Sequence, residues 1–198
     1  MSTPQPYFEA LHAHDDPWGY RSRWYEARKR ALLLASLPRE RFARGWELGC
    51  ANGELTAALA PRCATLLATD LSARAVAAAR VRTGALPQVE VRQAAHPRQW
   101  PAGRFDLIVF GEVGYYLDAE ALDLTVARLR DSLDHDGVLI ACHWLAPFDA
   151  APLDGRSVHA RIARGFDRAA SFGYEDGDVL LEGWSVAPGS VAQREGLR

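Results

Sequence analysis

Apolar positions along the chain change period several times, and each change marks an element. Trp24, Tyr25, Ala27, Ala31, Leu32, Leu34 and Ala35 recur at helical spacing, which predicts a helix over 22–37 ended by Pro38. The short apolar segment 45–48 then runs into Gly49-Cys50-Ala51-Asn52-Gly53. A helix is expected over 54–60, closed by Pro61, and a strand over 64–70 that ends on Asp70. Ser72 is a good N-cap for an alanine-rich helix over 73–82. Residues 89–92 alternate like a strand, 105–110 read as a buried strand, and 119–133 as an amphipathic helix. Asp136-Gly137 predicts a turn before a strand over 138–142. Strands alternating with helices imply a parallel, doubly wound α/β sheet. The tail differs: a helix over 157–164, then strand-like runs 168–174 and 179–186 around Glu175-Asp176-Gly177-Asp178, a hairpin signal. Residues 1–20, rich in Pro, His, Asp and aromatics, are expected to form an irregular arm.

Composition narrows the class without changing this pattern. The chain has 198 residues, 48% apolar and 24% charged, which suits one globular domain. Its net charge of −2 gives no reason to expect a nucleic-acid partner. Lys29 is the only lysine among many arginines, which reads as codon bias rather than as a phosphate-binding signal. Cys50, Cys63 and Cys142 are far apart and form no CxxC pair, so neither a metal nor a redox centre is expected, and free thiols fit a reducing compartment. No basic segment precedes an apolar run near Met1, and no stretch approaches the ~20 apolar residues of a membrane helix. The expectation is a cytoplasmic protein that acts on a small molecule and not at a membrane. Oligomeric state stays open.

Candidate chemistry sits at the predicted strand ends, where open parallel sheets bind ligands. Glu47-Leu48-Gly49-Cys50-Ala51-Asn52-Gly53 is an E-x-G-x-x-x-G run. Ala51 stands where a dinucleotide fingerprint has its second glycine, which argues against a pyrophosphate and so against an NAD-dependent oxidoreductase. Asp70 follows Gly49 by 21 residues at the end of the next strand, and a carboxylate there can accept both hydrogen bonds of a ribose diol. Together these residues point to an adenosine-containing ligand. Taken singly, Gly49 and Gly53 are ordinary turn glycines and Asp70 a helix-terminal acid beside Ser72.

With Glu47 before the glycine loop, Asp70 after it and the strand Phe105-Asp106-Leu107-Ile108-Val109, the chain resembles the class I S-adenosylmethionine methyltransferases over nearly its whole length. That resemblance implies a Rossmann-like sheet of seven strands in order 3-2-1-4-5-7-6 with a C-terminal antiparallel hairpin. It implies S-adenosyl-L-methionine as cofactor and S-adenosyl-L-homocysteine as product. The chain divides accordingly into an arm (1–20), a cofactor-binding sheet (21–144) and an acceptor loop, helix and hairpin (145–198). The cofactor residues expected are Trp18, Arg28, Glu47, Gly49, Cys50, Ala51, Asn52, Asp70, Leu71, Ala95, His96 and Gly111, with Arg28 as a bidentate partner of the cofactor carboxylate. Ala95 stands where the superfamily often has an acid for the adenine amino group, so adenine is left to backbone groups, His96 or packing.

Asp16-Pro17-Trp18-Gly19, Trp24-Tyr25-Glu26, Arg28-Lys29, Glu112-Val113-Gly114-Tyr115-Tyr116-Leu117 and His143-Trp144 are similar, more narrowly, to the NodS-type methyltransferases. That resemblance implies transfer to the free amino group of an amino sugar or chitooligosaccharide-like molecule. Glu112 and His143, each after a predicted strand, are the candidate catalytic pair. His143, with an ordinary pKa near 6.5, would accept the proton and Glu112 would orient the amine or balance the sulfonium. Tyr25, Tyr115, Tyr116 and Trp144 are the candidate acceptor residues, with Trp18 and Trp24 as lid candidates. Loop 145–155 would shape the acceptor pocket, its Asp149 and Asp154 attracting a cationic amine. The competing readings are a methyltransferase acting on oxygen, sulfur or a ring nitrogen, and a non-catalytic cofactor-binding module.

Overall fold

The computed structural model describes residues 1–187 and 189–198. Its centre is a seven-stranded sheet built from β1 (Phe42–Leu48), β2 (Cys63–Asp70), β3 (Val89–Gln93), β4 (Phe105–Gly111), β5 (Leu133–Trp144), β6 (Phe172–Glu175) and β7 (Val179–Ser185). The strand order is β3-β2-β1-β4-β5-β7-β6. The first five strands run parallel and β7 is antiparallel to both β5 and β6. The helices are α1 (Gln5–Leu11), α2 (Trp24–Ser36), α3 (Glu54–Leu59), α4 (Ala73–Thr83), α5 (Ala119–Ser132), α6 (Gly155–Gly165) and α7 (Val191–Arg194).

Helices cover both faces of the sheet, which is why β4 reads as an unbroken apolar run. Ile108 and Phe110 join Trp46, Leu122, Leu129 and Leu139 on the face packed by α5 and α6. Leu107 and Val109 turn the other way, to Leu33, Leu59, Leu66 and Ile140. Asp106 is the polar exception. Its carboxylate accepts the backbone N–H groups of Ala43 and Arg44, both at 2.8 Å, and so ties the start of β4 to the start of β1.

Two local expectations need correction. Asp136-Gly137 does not end the preceding element with a free turn, because β5 already starts at Leu133 and runs through them. The irregularity is taken up as a register shift: Phe105 faces Leu133 whereas Leu107 faces Val138. The arm is also less irregular than predicted. Pro6 sits within the first turn of α1, where a missing N–H costs nothing. The arm is tied down along its length: Thr3 N–H donates to the Tyr116 carbonyl at 2.8 Å and Ser2 N–H to Asp118 at 2.9 Å. Glu9 accepts from the Ser72 hydroxyl (3.0 Å) and from the N–H groups of Ala73 (2.6 Å) and Arg74 (3.4 Å), capping α4 from outside.

Burial works to raise the Glu9 pKa, but these donors outweigh it and hold the carboxyl below its ordinary value. A depressed folded-state pKa stabilises above the unfolded value and is lost as pH falls through the folded one. Glu9→Gln should therefore cost about 0.5–1 kcal/mol near neutral pH. Chemical denaturation of both proteins should show that difference closing below the ordinary glutamate pKa; a difference independent of pH would contradict this role.

Candidate active site

The site forms where β1, β2 and β4 end. After Leu48 the chain must turn at once, and Gly49 does so at φ +75°, in the left-handed region. A Cβ there would lie 2.2 Å from Val113 Cγ2, so only glycine lets the turn after β1 pass the turn after β4. The N–H groups of Gly49 and Cys50 both donate to the Thr69 carbonyl, at 2.8 and 3.0 Å, drawing the loop across the end of β2. Gly53, at φ +82°, lies against Ala79 and brings α3 and α4 together. Asp70 is buried at the end of β2. Its Oδ2 accepts from Ala51 N–H and its Oδ1 from Ser72 N–H, both at 2.9 Å, which leaves each oxygen further accepting capacity. Burial raises its pKa, against the pull of those N–H groups and of His12.

Two connected spaces open here. The larger, of about 440 Å³, runs from Asp70, Leu71 and His96 past Trp18 to the aromatic end formed by Tyr25, Tyr115, Tyr116 and Trp144. The smaller, of about 60 Å³, lies inward, lined by Glu47, Cys50, Asn52 and Gly111. Tyr20, Glu26, Lys29, Gly49, Ala51 and Glu112 belong to both and mark the junction. Glu47 is fully enclosed, accepts a hydrogen bond from Thr56 Oγ1 at 2.6 Å, and is pushed up to about 8 by burial.

At the junction Glu112 follows β4 with a left-handed backbone, φ +57°. Its Oε1 accepts from Lys29 Nζ at 2.6 Å. Its Oε2 accepts from the Tyr115 hydroxyl and from Trp144 N–H, the latter at 3.0 Å. Lys29 also donates to Glu26 at 3.0 Å, and its Nζ lies 5.2 Å from the centre of the Tyr25 ring. The Tyr25 hydroxyl is buried without a partner among the described residues, a polar atom available to a ligand.

Most of the predicted residues therefore converge on these spaces, and several do not. Arg28 is turned away: it pairs with Asp176 at 2.7 Å and with the Tyr174 hydroxyl on the β6–β7 hairpin. Glu26 and Arg30, which line the inner space, sit two residues on either side of Arg28, about 200° around the helix. The cations of α2 that face the site are Lys29 and Arg30, and the uniqueness of Lys29 in the sequence was the available signal.

His143 is fully enclosed and lines neither space. Gly114 N–H donates to its Nε2 at 3.1 Å, so the ring proton sits on Nδ1 and faces His159 Nε2 at 3.1 Å. His159 Nδ1 in turn donates to Glu182 at 2.7 Å. Burial holds the His143 pKa well below 6.5, and a proton on Nε2 would oppose the Gly114 N–H. It is a structural histidine under the Glu112 turn, and the expectation of a general base is corrected.

Ala94 rather than Ala95 faces the larger space. His96 does line it, but both nitrogens are taken: Nδ1 faces the Gln99 carbonyl at 2.7 Å and Nε2 the Thr69 hydroxyl at 2.9 Å. Burial lowers its pKa to about 4, so it is neutral. It can offer an adenine its ring, not a charge. Asp154 caps α6 through Ser157 N–H at 2.8 Å, and neither it nor the exposed Asp149 lines either space. Trp24 is 77% exposed and lines neither space. Three further side chains border the site, Phe8 from the arm and Phe148 from loop 145–155 among them. Asp16 accepts from Asn52 Nδ2 at 3.1 Å, Phe8 packs edge-on to Tyr116 at 4.9 Å, and Phe148 packs edge-on to Tyr115 at 5.1 Å. Among the described residues no cluster has the makings of a metal site, and no helix is long and apolar enough to cross a membrane.

Known proteins agree with this architecture. Residues 7–143 match the family described as Nodulation protein S (NodS). Nodulation protein S of Bradyrhizobium diazoefficiens is 34% identical over 130 residues, 65% of this chain and 62% of that protein. The chain thus spans about three fifths of the length of the nodulation proteins it matches. Among solved structures, a candidate methyltransferase from Pseudomonas syringae superposes with TM-score 0.74 at 48% identity, covering 82% of this chain and 99% of that one. The N-methyltransferase NodS from Bradyrhizobium japonicum, in complex with S-adenosyl-L-homocysteine, gives TM-score 0.78 at 27% identity, covering 91% and 97%. With the glycine loop, the acid after β2 and the strand order all in place, the chain belongs to the NodS family.

Proposed function

We propose that the protein transfers a methyl group from S-adenosyl-L-methionine to the amino group of a small molecule. The observation that carries this reading is the junction: two carboxylates, Glu26 and Glu112, stand where the space beneath the glycine loop meets an aromatic-lined space. The family membership supports the donor. Gly49, which lines both spaces, and the accepting capacity left on Asp70 fit an adenosyl ligand. Asp70 would accept the ribose hydroxyls, with Leu71, Ala94 and the face of His96 against the adenine. Glu47, Cys50, Asn52 and Gly111 would enclose the methionine part, and an ammonium brought beside Glu47 would favour its carboxylate form. Arg30, not Arg28, is in place to meet the cofactor carboxylate.

When bound, the sulfonium supplies an electrophilic methyl. The protein's part is positioning and proton control. An amine held by Glu112 attacks with its lone pair as the carbon–sulfur bond breaks and that electron pair stays on sulfur; its surplus proton leaves to solvent beforehand. Tyr116, Trp144 and Phe148 would exclude water around the acceptor and offer ring faces or edges to its body. An amino sugar is the acceptor class that the family resemblance implies, and the paired carboxylates suit an acceptor that arrives as an ammonium.

Asp70→Ala should weaken S-adenosyl-L-homocysteine at least about tenfold, since charge-assisted bonds contribute roughly 1.5–3 kcal/mol each. Calorimetry showing unchanged affinity, or tight NAD binding with no S-adenosyl-L-homocysteine binding, would overturn the reading. His143→Ala should cost about 2–4 kcal/mol of stability, because it empties a buried site and orphans the Gly114 N–H. Turnover of the folded variant should stay within about tenfold of the parent, whereas loss of a general base would cost about 10²–10⁴-fold.

A further inference from the structure

A primary amine reaches the site as an ammonium, and only the neutral form can attack. Two carboxylates alone would bind that ammonium well and keep it protonated, because opposite charges raise the pKa of a bound cation. The junction carries a third charge. Lys29 Nζ lies between Glu26 Oε1 at 3.0 Å and Glu112 Oε1 at 2.6 Å, and its side chain is only 12% exposed. The three groups together leave one net negative charge at the junction.

We propose that Lys29 sets the proton balance of the acceptor: with Glu26 and Glu112 it forms a subsite that takes one ammonium and, through its own fixed positive charge, lets that amine lose its proton before transfer. The inference rests on the N-methyltransferase reading above and adds Lys29 to it. The carboxylate pair already holds one ammonium, that of Lys29, at Glu26 Oε1 and Glu112 Oε1. The unpartnered Tyr25 hydroxyl supplies a further polar contact at the same wall.

The groups facing Lys29 are few. From α2 come Glu26, Tyr25 and the more distant Arg30; from the turn after β4, Glu112 with Tyr115. From β5 come Cys142, a buried thiol, and the neutral His143; from the segment before α2 comes Tyr20. The acidic and basic side chains among these, beside Lys29, are Glu112, Arg30 and Glu26, whose pKa burial raises against the pull of Lys29. Burial works to strip Lys29 of its proton, but the two carboxylates prevail and hold its pKa above the ordinary value. It therefore has no lone pair and does not compete for the methyl group.

The test uses the full chain and two opposed substitutions, Lys29→Met and Glu26→Gln, with Lys29→Arg as the charge-conserving control. The subsite's charge is first read without any acceptor, as the affinity of the cationic S-adenosyl-L-methionine relative to the uncharged-sulfur S-adenosyl-L-homocysteine by calorimetry. Lys29→Met should raise that ratio about tenfold and Glu26→Gln should lower it about tenfold, with Lys29→Arg near the parent. With an amine that turns over, the acid limb of the kcat–pH profile should move up by about one unit in Lys29→Met, since removing a positive neighbour favours the ammonium. It should move down in Glu26→Gln. Both readouts unmoved in a variant that still binds S-adenosyl-L-homocysteine, or moved in the same direction by both substitutions, would overturn the proposal and leave Lys29 as a tie between α2 and β4. Failure of the parent protein to bind S-adenosyl-L-methionine would count against the methyltransferase reading, a distinguishable result.

Discussion

The turns after β1 and β4 pass each other so closely that only one side chain, that of Val113, fits between them, and the rest of the site follows from that constraint. Gly49 has to be glycine because Val113 occupies the place of its Cβ. Glu112, just before Val113, is then held in a left-handed backbone conformation that an L-residue adopts only under local compulsion. That conformation is held from below by Gly114 N–H on His143 and from the side by Trp144 N–H on the Glu112 carboxylate. The strained turn thus aims a carboxylate at the space beneath the glycine loop, and α2 answers it with Lys29.

Charge is managed by burial as much as by pairing. Glu47, with only a threonine hydroxyl as partner, is pushed up to about 8, so near neutral pH the protein holds a proton there in the free state. A cation placed beside Glu47 would release that proton. His96 and His143 lie in the opposite regime, held neutral by burial on either side of the site. Their folded-state values lie below the ordinary histidine pKa, so they favour the fold above pH 6.5 and oppose it as pH falls from there. Positive charge in this region belongs to α2 and to whatever the site binds.

Much of this was legible in the sequence because it is local. The alternation of strand and helix, the Ser72 cap confirmed by its bond from Ala75 N–H, and the hairpin around Glu175–Asp178 each need only a few consecutive residues. The interval from Gly49 to Asp70 is longer but spans one β-α-β unit whose geometry is fixed by the fold class. What failed depended on phase or on distant partners. Arg28 and Lys29 are one residue apart, yet only one of them faces the site, and apolar spacing along α2 did not fix its rotation that finely. Cys142 and His143 alternate across β5 in the same way, one toward the inner space and one toward α6. The partners that make His143 structural, His159 and Glu182, arrive from α6 and β7, and nothing near His143 in the chain announces them.

The central claim is that methyl groups leave S-adenosyl-L-methionine for nitrogen in this site. It is tested most directly by incubating the protein with methyl-labelled S-adenosyl-L-methionine and a panel of small acceptors, amino sugars beside their N-acetyl forms, and locating the label by mass spectrometry. The account predicts label on the nitrogen of free amines and none on the acetylated partners. Label on oxygen or sulfur, or equal labelling of acetylated and free amines, would contradict it.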